Sequence, residues 1–481
     1  MGNTSKKLAS QCAMLSKEEQ KYVGNTFKAA SKNSGKIRED DLIKHWGPLI
    51  DPRLAQYLSN YLFDAGAQKS ATCDFNRFAE LYVYNVRGSV DQRMMVTYRS
   101  LGNYSESDGL PYQLIKEYCE AIVSTYIKVV KASGGKRAEK WMDKGFRGKA
   151  THVQTLGEAV ASGAGDDPDS PPQAVDSKQL MTDTLLKHMT ETVYTTLYGI
   201  ERDNSSEDGP ALEAVPKLLP MVYGMDSMPD YPAFIDLAHI VWLNNNIPPQ
   251  HQHKWRFLFS SHIHGESFST MVGRICDQGA SIIIIEDNNG HIFGGFATQS
   301  WEIGPNFVGS EESFLFTLAP KMRIYTSSGF NKHYQYLNHH TKTLPNGLLM
   351  GGQFNFGAIW IPADPFGEGS SAESCTTYRG YKRLSKEANF HIRSIEVWAV
   401  GDKPLTEKEE EPEYAQSHHS VLDSHKEDLK FLSIIGKPSV SEGFRGERDL
   451  SVLDVNPEAK AILEMAGKTR HSDGLREPPP L

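Results

Sequence analysis

Apolar residues at helical spacing dominate the first part of the chain. Between Leu110 and Val130 they recur every three or four positions, at Leu114, Ile115, Tyr118, Ile122, Tyr126 and Ile127. This spacing lines one face of a helix, and it predicts helical structure over residues 1–160 and again over 177–235. The polar Pro/Gly/Asp stretch 163–172 lies between the two segments. It predicts a flexible linker or loop over 161–176.

Residues 236–402 show short apolar runs separated by turn signals. The run 281–285 is rich in Ile, which favours a buried strand. Asp287-Asn-Asn-Gly290 then predicts a hairpin turn, and Gly294 and Gly295 predict a bulge or a close backbone approach in the returning strand. Further strands are predicted from runs that begin at Ser313, Met322, Ala358 and Phe390. Many short strands with Gly-rich turns are typical of an antiparallel sandwich, with one helix over 267–275.

Several sequence blocks in this region together resemble the TLDc domain. They include Trp255–Ser261, His262–Ser269, Phe293–Ala297 and Phe390–Trp398. That domain is shared by the oxidation-resistance proteins and a related nuclear-receptor coactivator. The resemblance implies a β-sandwich flanked by helices, so the expected fold class of the whole chain is α+β. It also implies a binding and regulatory role, with the proton-pumping V-ATPase as a partner.

The end of the chain predicts a linker and one last helix. The acidic run 407–413 predicts a polar linker over 403–455. Within 456–481, Asn456 is a good N-cap, Pro457 suits the first turn and Gly467 suits the C-terminal cap. The apolar side and the cationic end of this helix include Ile462, Leu463, Met465, Lys468 and Arg470. Such a helix docks on its own protein or enters the groove of a partner such as calmodulin, and intramolecular docking is the commoner outcome.

Residues 30–41 have the outline of an EF-hand calcium loop. Gly35 takes the sixth place, Ile37 the eighth and Asp41 the twelfth. However, Ala30 and Lys32 stand at the first and third places, where calcium needs oxygen ligands. A second loop from Asp64 has Lys69 where glycine is wanted. We therefore predict a degenerate EF-hand-like pair that packs without binding calcium, with a calcium sensor as the alternative.

Two features suggest contact with a membrane. Removal of Met1 would expose Gly2 for myristoylation, although Lys6 stands where Ser or Thr is usual. Because one acyl chain holds a protein only marginally, a second signal is needed. The segment 128–149 can supply it through Lys136, Arg137, Lys140, Lys144, Arg147 and Lys149, with Trp141 and Phe146 interleaved. Such a segment suits an anionic membrane or an acidic partner, although most charge runs are only a solvated face.

Composition excludes several classes of protein. The net charge of −9 and the pI of about 6.0 disfavour a general nucleic-acid binder. The five cysteines are far apart and form no Cys-x-x-Cys pair, which disfavours a disulfide framework or a zinc site and favours a reducing compartment. No apolar run approaches the roughly 18–20 residues that span a bilayer. The N-terminus lacks the apolar core of a secretory signal.

Residues 261–267 superficially offer a nucleophile, a base and an acid. Groups this close along a chain rarely converge as a catalytic triad, so we predict a helix entry with Ser267 as N-cap. The sequence has neither a Gly-x-Ser-x-Gly elbow nor a phosphate-binding glycine loop. We therefore expect no cofactor, no metal and no catalysis. An enzyme that uses His264, Glu266 or Cys276, with an oxidative-stress protective activity, is the alternative.

The order of these segments along the chain indicates one group within the TLDc family. EF-hand-like helices, a TLDc-like region, a Met-Gly start and an Asn-Pro-Glu-Ala helix together resemble the mTOR-associated members of the TLDc family. This resemblance implies a cytosolic regulator that is recruited to the lysosomal membrane. It would bind the V-ATPase and promote mTOR signalling.

Overall fold

Helices form the first half of the structure. The computed structural model describes residues 15–63, 70–102, 104, 109–163, 174–175, 177–200, 218–225, 231, 234–354 and 356–404. Its helices up to residue 200 are α1 (Lys17–Ala30), α2 (Glu39–Trp46), α3 (Pro52–Phe63), α4 (Phe75–Arg87), α5 (Val90–Leu101), α6 (Tyr112–Ser133), α7 (Gly135–Asp143), α8 (Ala150–Ser162), α9 (Ser177–Thr182) and α10 (Thr184–Leu197). The helical structure expected for this part of the chain is thus confirmed where it is described, except at the two-residue strand Leu110–Pro111. The linker predicted over 161–176 contains the end of α8 and one short strand.

Local sequence explains where several of these helices begin. Ser16 and Ser89 cap α1 and α5, and each belongs to a capping box with the Glu or Gln three positions later. Asp74 and Asp183 cap α4 and α10 by accepting a backbone N–H. These caps satisfy amide groups that have no partner within the helix.

The remaining elements are mostly strands. They are β1 (Leu110–Pro111), β2 (Ala174–Val175), β3 (Met221–Tyr223), β4 (Lys254–Ser260), β5 (Ser281–Asp287), β6 (Ile292–Ala297), β7 (Phe314–Ala319), β8 (Arg323–Thr326), β9 (Tyr336–Asn338), β10 (Gly347–Gln353), β11 (Phe356–Pro362), β12 (Glu368–Ser370) and β13 (Asn389–Val400). Three helices accompany them, α11 (Leu237–Asn246), α12 (Ser261–His264) and α13 (Phe268–Ile275). The α+β class and the helix expected near 267–275 are confirmed.

One strand corrects the sequence-based prediction. The segment 177–235 was expected to be helical, but Met221–Tyr223 forms β3, which pairs in parallel with β4. The strand has only three residues, too few for the pattern of alternation that marks a strand. Its partner lies more than thirty positions later in the chain, so local sequence does not report the pairing.

Strand β13 lies at the centre of the sheet and belongs to both layers of a sandwich. It pairs with β4 and β5 along one part and with β12 at its start. Side chains of Ile395, Val397 and Ala399 enter the core between the two strand layers. Trp398 and Val400 enter the core shared with the helices. The second half of the strand is buried on both faces because helices cover its outer side.

The hairpin of β5 and β6 matches its prediction. Gly290 adopts φ +78°, and its N–H donates to the carbonyl of Asp287 at 3.0 Å. A side chain at Gly294 would lie 1.9 Å from the carbonyl oxygen of Ile283, and one at Gly295 would collide with Met350. Glycine at these two positions therefore lets neighbouring backbones and the opposite layer approach closely.

The described residues, which end at 404, belong to one compact unit. The helices and the outer face of the sheet share one apolar core, which runs from Leu15 to Val400. The acidic linker and the C-terminal helix lie outside the described residues. In the described part of the chain, no helix is both long and apolar enough to cross a bilayer.

Candidate functional site

The predicted contact residues divide into two groups. The basic segment lies within the described chain. Gly2 and the helix residues Ile462, Leu463, Met465, Lys468 and Arg470 lie outside it. Their roles therefore remain predictions from the sequence.

The basic segment forms helix α7 and the turn that follows it. Lys136, Arg147 and Lys149 are exposed. Arg137, Lys140 and Lys144 are partly exposed. Lys136 and Lys140 lie four positions apart on α7, so they share one face of the helix.

The aromatic residues of this segment do not belong to its surface. Trp141 is fully buried, and its Nε1 donates to the carbonyl oxygen of Pro220 at 2.8 Å. Its ring centroid lies 5.6 Å from that of Trp398 and 4.9 Å from that of Phe146, which is also buried. The prediction that Trp141 and Phe146 face a membrane or a partner is therefore wrong. Helix α7 packs through Ala138 and Trp141, and Phe146 packs against Trp141 from the turn that follows the helix.

A buried carboxylate fixes the turn after α7. Asp236 accepts hydrogen bonds from the backbone N–H groups of Gly148, at 2.5 Å, and Lys149, and it contacts His152 Nδ1 at 3.2 Å. Burial raises the pKa of this carboxyl, but the hydrogen bonds from His152 and the backbone outweigh burial and hold the pKa well below its usual range. The ionised carboxylate thus binds the basic turn to the start of α11.

The structure adds two residues to this surface that sequence reasoning missed. The Lys140 ammonium lies 5.3 Å from the ring centroid of Tyr223, and the Lys254 ammonium lies 5.5 Å from the same centroid. Tyr223 is 43% exposed. We call Lys136, Lys140, Tyr223 and Lys254 the basic surface. Only the parallel pairing of β3 with β4 brings its last two members together, and no local signal predicts that pairing.

The two EF-hand-like loops are paired, although residues 64–69 of the second loop lie outside the described residues. Ile37 and Cys73 exchange backbone hydrogen bonds of 2.9 and 2.8 Å. The Lys32 ammonium and the Arg38 guanidinium both contact the Asp41 carboxylate. Nowhere in the described residues do three or more His, Cys, Asp or Glu side chains cluster as a metal site would require. This geometry argues against the calcium-sensor alternative.

The residues named for catalysis are not arranged for it. His264 Nδ1 accepts the backbone N–H of Ser260 at 3.1 Å, and the side chain of Glu266 is exposed. Burial raises the pKa of the Cys276 thiol to about 11, so it is not the thiolate that a nucleophile requires. Ser267 caps α13 by accepting from Thr270 N, as predicted. His264, Glu266 and Ser267 thus lie at the helix entry, whereas Cys276 is the C-cap of α13.

Comparison with known proteins agrees with this geometry. Residues 229–401 match the sequence model of the TLDc domain. The chain therefore carries a TLDc domain, and the expectation drawn from its sequence blocks is confirmed.

Longer similarity extends beyond that domain. The chain is 42% identical over 248 residues to MTOR-associated protein MEAK7 of Gallus gallus, which covers 51% of this chain and 45% of the relative. It is 39% identical over 251 residues to MTOR-associated protein MEAK7 of Homo sapiens, covering 52% and 46%. Nuclear receptor coactivator 7 of Mus musculus is 29% identical over 177 residues, covering 36% and 18%. The chain thus spans about half the length of the MEAK7 relatives that it matches.

Proposed function

We propose that this TLDc-domain chain is a non-enzymatic regulator of mTOR signalling that works at the lysosomal membrane by binding the V-ATPase. Relatives named as mTOR-associated proteins are 42% and 39% identical to about half of the chain, which supports the link to that pathway. The structural observation that carries the partner-binding role is the basic surface, held rigidly on α7, β3 and β4.

The basic surface suits an acidic protein partner for a physical reason. Its backbone is fixed from beneath by Trp141 and Asp236, so little conformational freedom is lost when a partner binds. Lys140 and Lys254 flank the half-exposed ring of Tyr223. The half-exposed ring beside the Lys140 ammonium offers an apolar contact and charge complementarity at one place, while the Lys254 ammonium also pairs with the Asp402 carboxylate.

The V-ATPase proposal is tested with the purified soluble sector of the pump and the full chain. The double variant Lys136→Gln/Lys140→Gln should bind about fivefold more weakly, chiefly through slower association and a weaker dependence on salt. The variant Lys17→Gln/Lys28→Gln removes the same charge from exposed positions on α1 and serves as control. If the wild-type chain does not bind the soluble sector, the proposal is wrong. If both double variants bind with equal affinity, the basic surface is not the site that contacts the V-ATPase.

The lysosomal location has a separate test at Gly2. In cells, Gly2→Ala should lose an acyl group from the intact mass and move from the lysosomal to the cytosolic fraction, because a single chain and a basic patch are each marginal alone. An intact mass of the native protein without an acyl group would refute the lipid anchor. Unchanged fractionation of the variant would show that Gly2 does not determine the location.

A further inference from the structure

Phe330 is the most exposed large apolar residue in the described part of the chain. It is 81% exposed and lies in the turn 327–333, between β8 and β9. Single exposed apolar residues are common on protein surfaces. Phe330 differs from such residues because its turn is rigid and because a second exposed aromatic residue and two cations lie nearby.

The turn that carries Phe330 is held firmly. Its Ser328 Oγ donates to the carbonyl of Thr376 at 2.6 Å and accepts the N–H of Phe330 at 3.1 Å. Asn331 bridges Thr376 and the buried Thr377 through its side-chain amide, at 3.1 and 2.9 Å. The exposed ring therefore projects from a rigid support, which limits the entropy lost when it is buried by a ligand.

A second exposed aromatic residue lies on the neighbouring hairpin. The N–H of Gly351 donates to the carbonyl of His333 at 3.0 Å, and His333 Nδ1 lies 2.7 Å from the carbonyl oxygen of Gly352. These bonds join the Phe330 turn to the end of the β10–β11 hairpin. Phe356, at the start of β11, is 51% exposed. Two exposed aromatic residues thus stand at one end of the sandwich.

Two exposed cations lie beside the Phe330 turn, although the chain as a whole is acidic. The side chains of Lys332 and Arg379 are exposed, and Arg379 is joined to the strand before the turn by its N–H bond to Thr326. Between Glu312 and Asp364 the sequence contains no Asp or Glu, in a chain of net charge −9. The nearby carboxylate of Glu373 lies 3.9 Å from the Arg383 guanidinium.

We propose that this end of the TLDc sandwich docks on an anionic membrane surface, with Phe330 inserted at the boundary between headgroups and acyl chains. Lys332 and Arg379 would contact lipid phosphates beside it. An apolar tip with cations beside it fits such a surface. The buried Trp141 and Phe146 leave the basic segment without the aromatic anchor that this end supplies.

The inference deepens the proposed membrane location, and its test is independent of Gly2 and of the V-ATPase. Full-length unacylated protein is mixed with vesicles of phosphatidylcholine, with and without one-fifth phosphatidylserine, and sedimented. Wild-type protein should bind the anionic vesicles. Phe330→Ala should bind about tenfold more weakly, the loss expected when one large apolar contact is removed. The control Tyr104→Ala removes an aromatic residue that is 37% exposed and lies in the helical part of the chain, outside the sandwich, and it should bind as wild type does.

A fluorescent variant reports the insertion directly. The seven native tryptophans are buried or only partly exposed, so the indole of Phe330→Trp adds an exposed signal. Its emission should shift to the blue on anionic vesicles and be quenched by lipids brominated in their acyl chains. An absence of wild-type binding, equal binding by Phe330→Ala, or unquenched emission would each overturn the proposal. Weaker binding of Phe330→Ala to the soluble V-ATPase sector, without vesicle binding, would assign the surface to a protein and also overturn it.

Discussion

The Lys32 ammonium lies 2.6 Å from the Asp41 carboxylate, and these residues occupy the third and twelfth places of the EF-hand-like loop. The Arg38 guanidinium contacts the other oxygen of Asp41 at 2.9 Å. Hydrogen bonds from Lys32 and then Arg38 lower the pKa of Asp41. The loop thus contains its own cation beside the carboxylate that would otherwise bind calcium.

We therefore expect the full chain to give no heat of binding when it is titrated with micromolar calcium. The double variant Ala30→Asp/Lys32→Asp should gain weak binding, at dissociation constants of roughly 10⁻⁴–10⁻³ M, because it adds two carboxylates and removes the ammonium. Isothermal titration measures both. A stoichiometric isotherm for the wild-type chain would restore the calcium-sensor alternative.

The matched control keeps the ammonium and adds only one ligand. Ala30→Asp alone should bind no calcium, because Lys32 still neutralises Asp41. If Ala30→Asp binds as tightly as the double variant, the Lys32–Asp41 pair is not what excludes the metal.

Much of the fold could be read from the sequence because its signals are local. The helical stripe of α6, the Gly290 turn and the Ser267 cap each depend on residues within a few positions of one another. The outline of an EF-hand pair was visible in the same way. These features follow from backbone preferences and periodicity, which a single sequence records.

The misses arose where distant segments meet. Tyr223 of β3, which pairs with β4, lies beside Lys140 of α7. No residue near Tyr223 in the sequence predicts that contact. Trp141 was assigned to a surface because cations surround it, yet Ala138 and Trp141, three positions apart, form the buried side of α7. The cations around Trp141 suggested an exposed position, but its packing against Trp398 and Phe146 buries the side chain.

The burial of Trp141 predicts a structural role for this side chain. Trp141→Ala should lower the free energy of unfolding by about 3–5 kcal/mol, since it opens a cavity beside Trp398 and Phe146. Urea denaturation, followed by near-UV circular dichroism, measures the loss. The exposed neighbour Lys136→Ala should change the free energy by less than about 0.5 kcal/mol. A loss below about 1 kcal/mol for Trp141→Ala would contradict the packing of Trp141 against Trp398 and Phe146.

Charged substitutions test whether the predicted C-terminal helix contacts a partner. Ile462→Asp/Leu463→Asp places charges on its apolar side, so calmodulin binding by the full chain should be lost and affinity for the soluble V-ATPase sector should change. The near-UV circular dichroism of the chain should stay as in wild type if the helix is detachable. Lys460→Asp changes charge on the polar side and should leave both interactions within about twofold. Unaltered binding of both partners by the double variant would show that this segment is not a contact.

Glu396 is a buried acid between the sheet and the helical layer. Its carboxyl accepts the Nε1–H of Trp398 at 3.0 Å, and it pairs along β13 with Ser260 of β4 and Ile284 of β5. Burial raises its pKa to about 7, although hydrogen bonding by Tyr231 and Trp398 opposes the rise. Near neutral pH, this one group therefore changes between a protonated and an ionised form inside the core.

This titration predicts that stability falls as pH rises. In the unfolded chain a glutamate has a pKa of about 4.3, so folding retains a proton on Glu396 between that value and about 7. Its contribution is complete below the unfolded pKa and is lost as pH rises through 7, by an amount on the order of 3 kcal/mol. Glu396→Gln keeps an acceptor for Trp398 without a charge, so its unfolding midpoint in urea should exceed that of wild type at pH 8 and approach it at pH 5. Glu368→Gln removes an exposed carboxylate from β12 that does not contribute to the raised pKa of Glu396, and it should retain the wild-type slope between pH 5 and 8. The same slope in wild type and Glu396→Gln would show that Glu396 is not the titrating group.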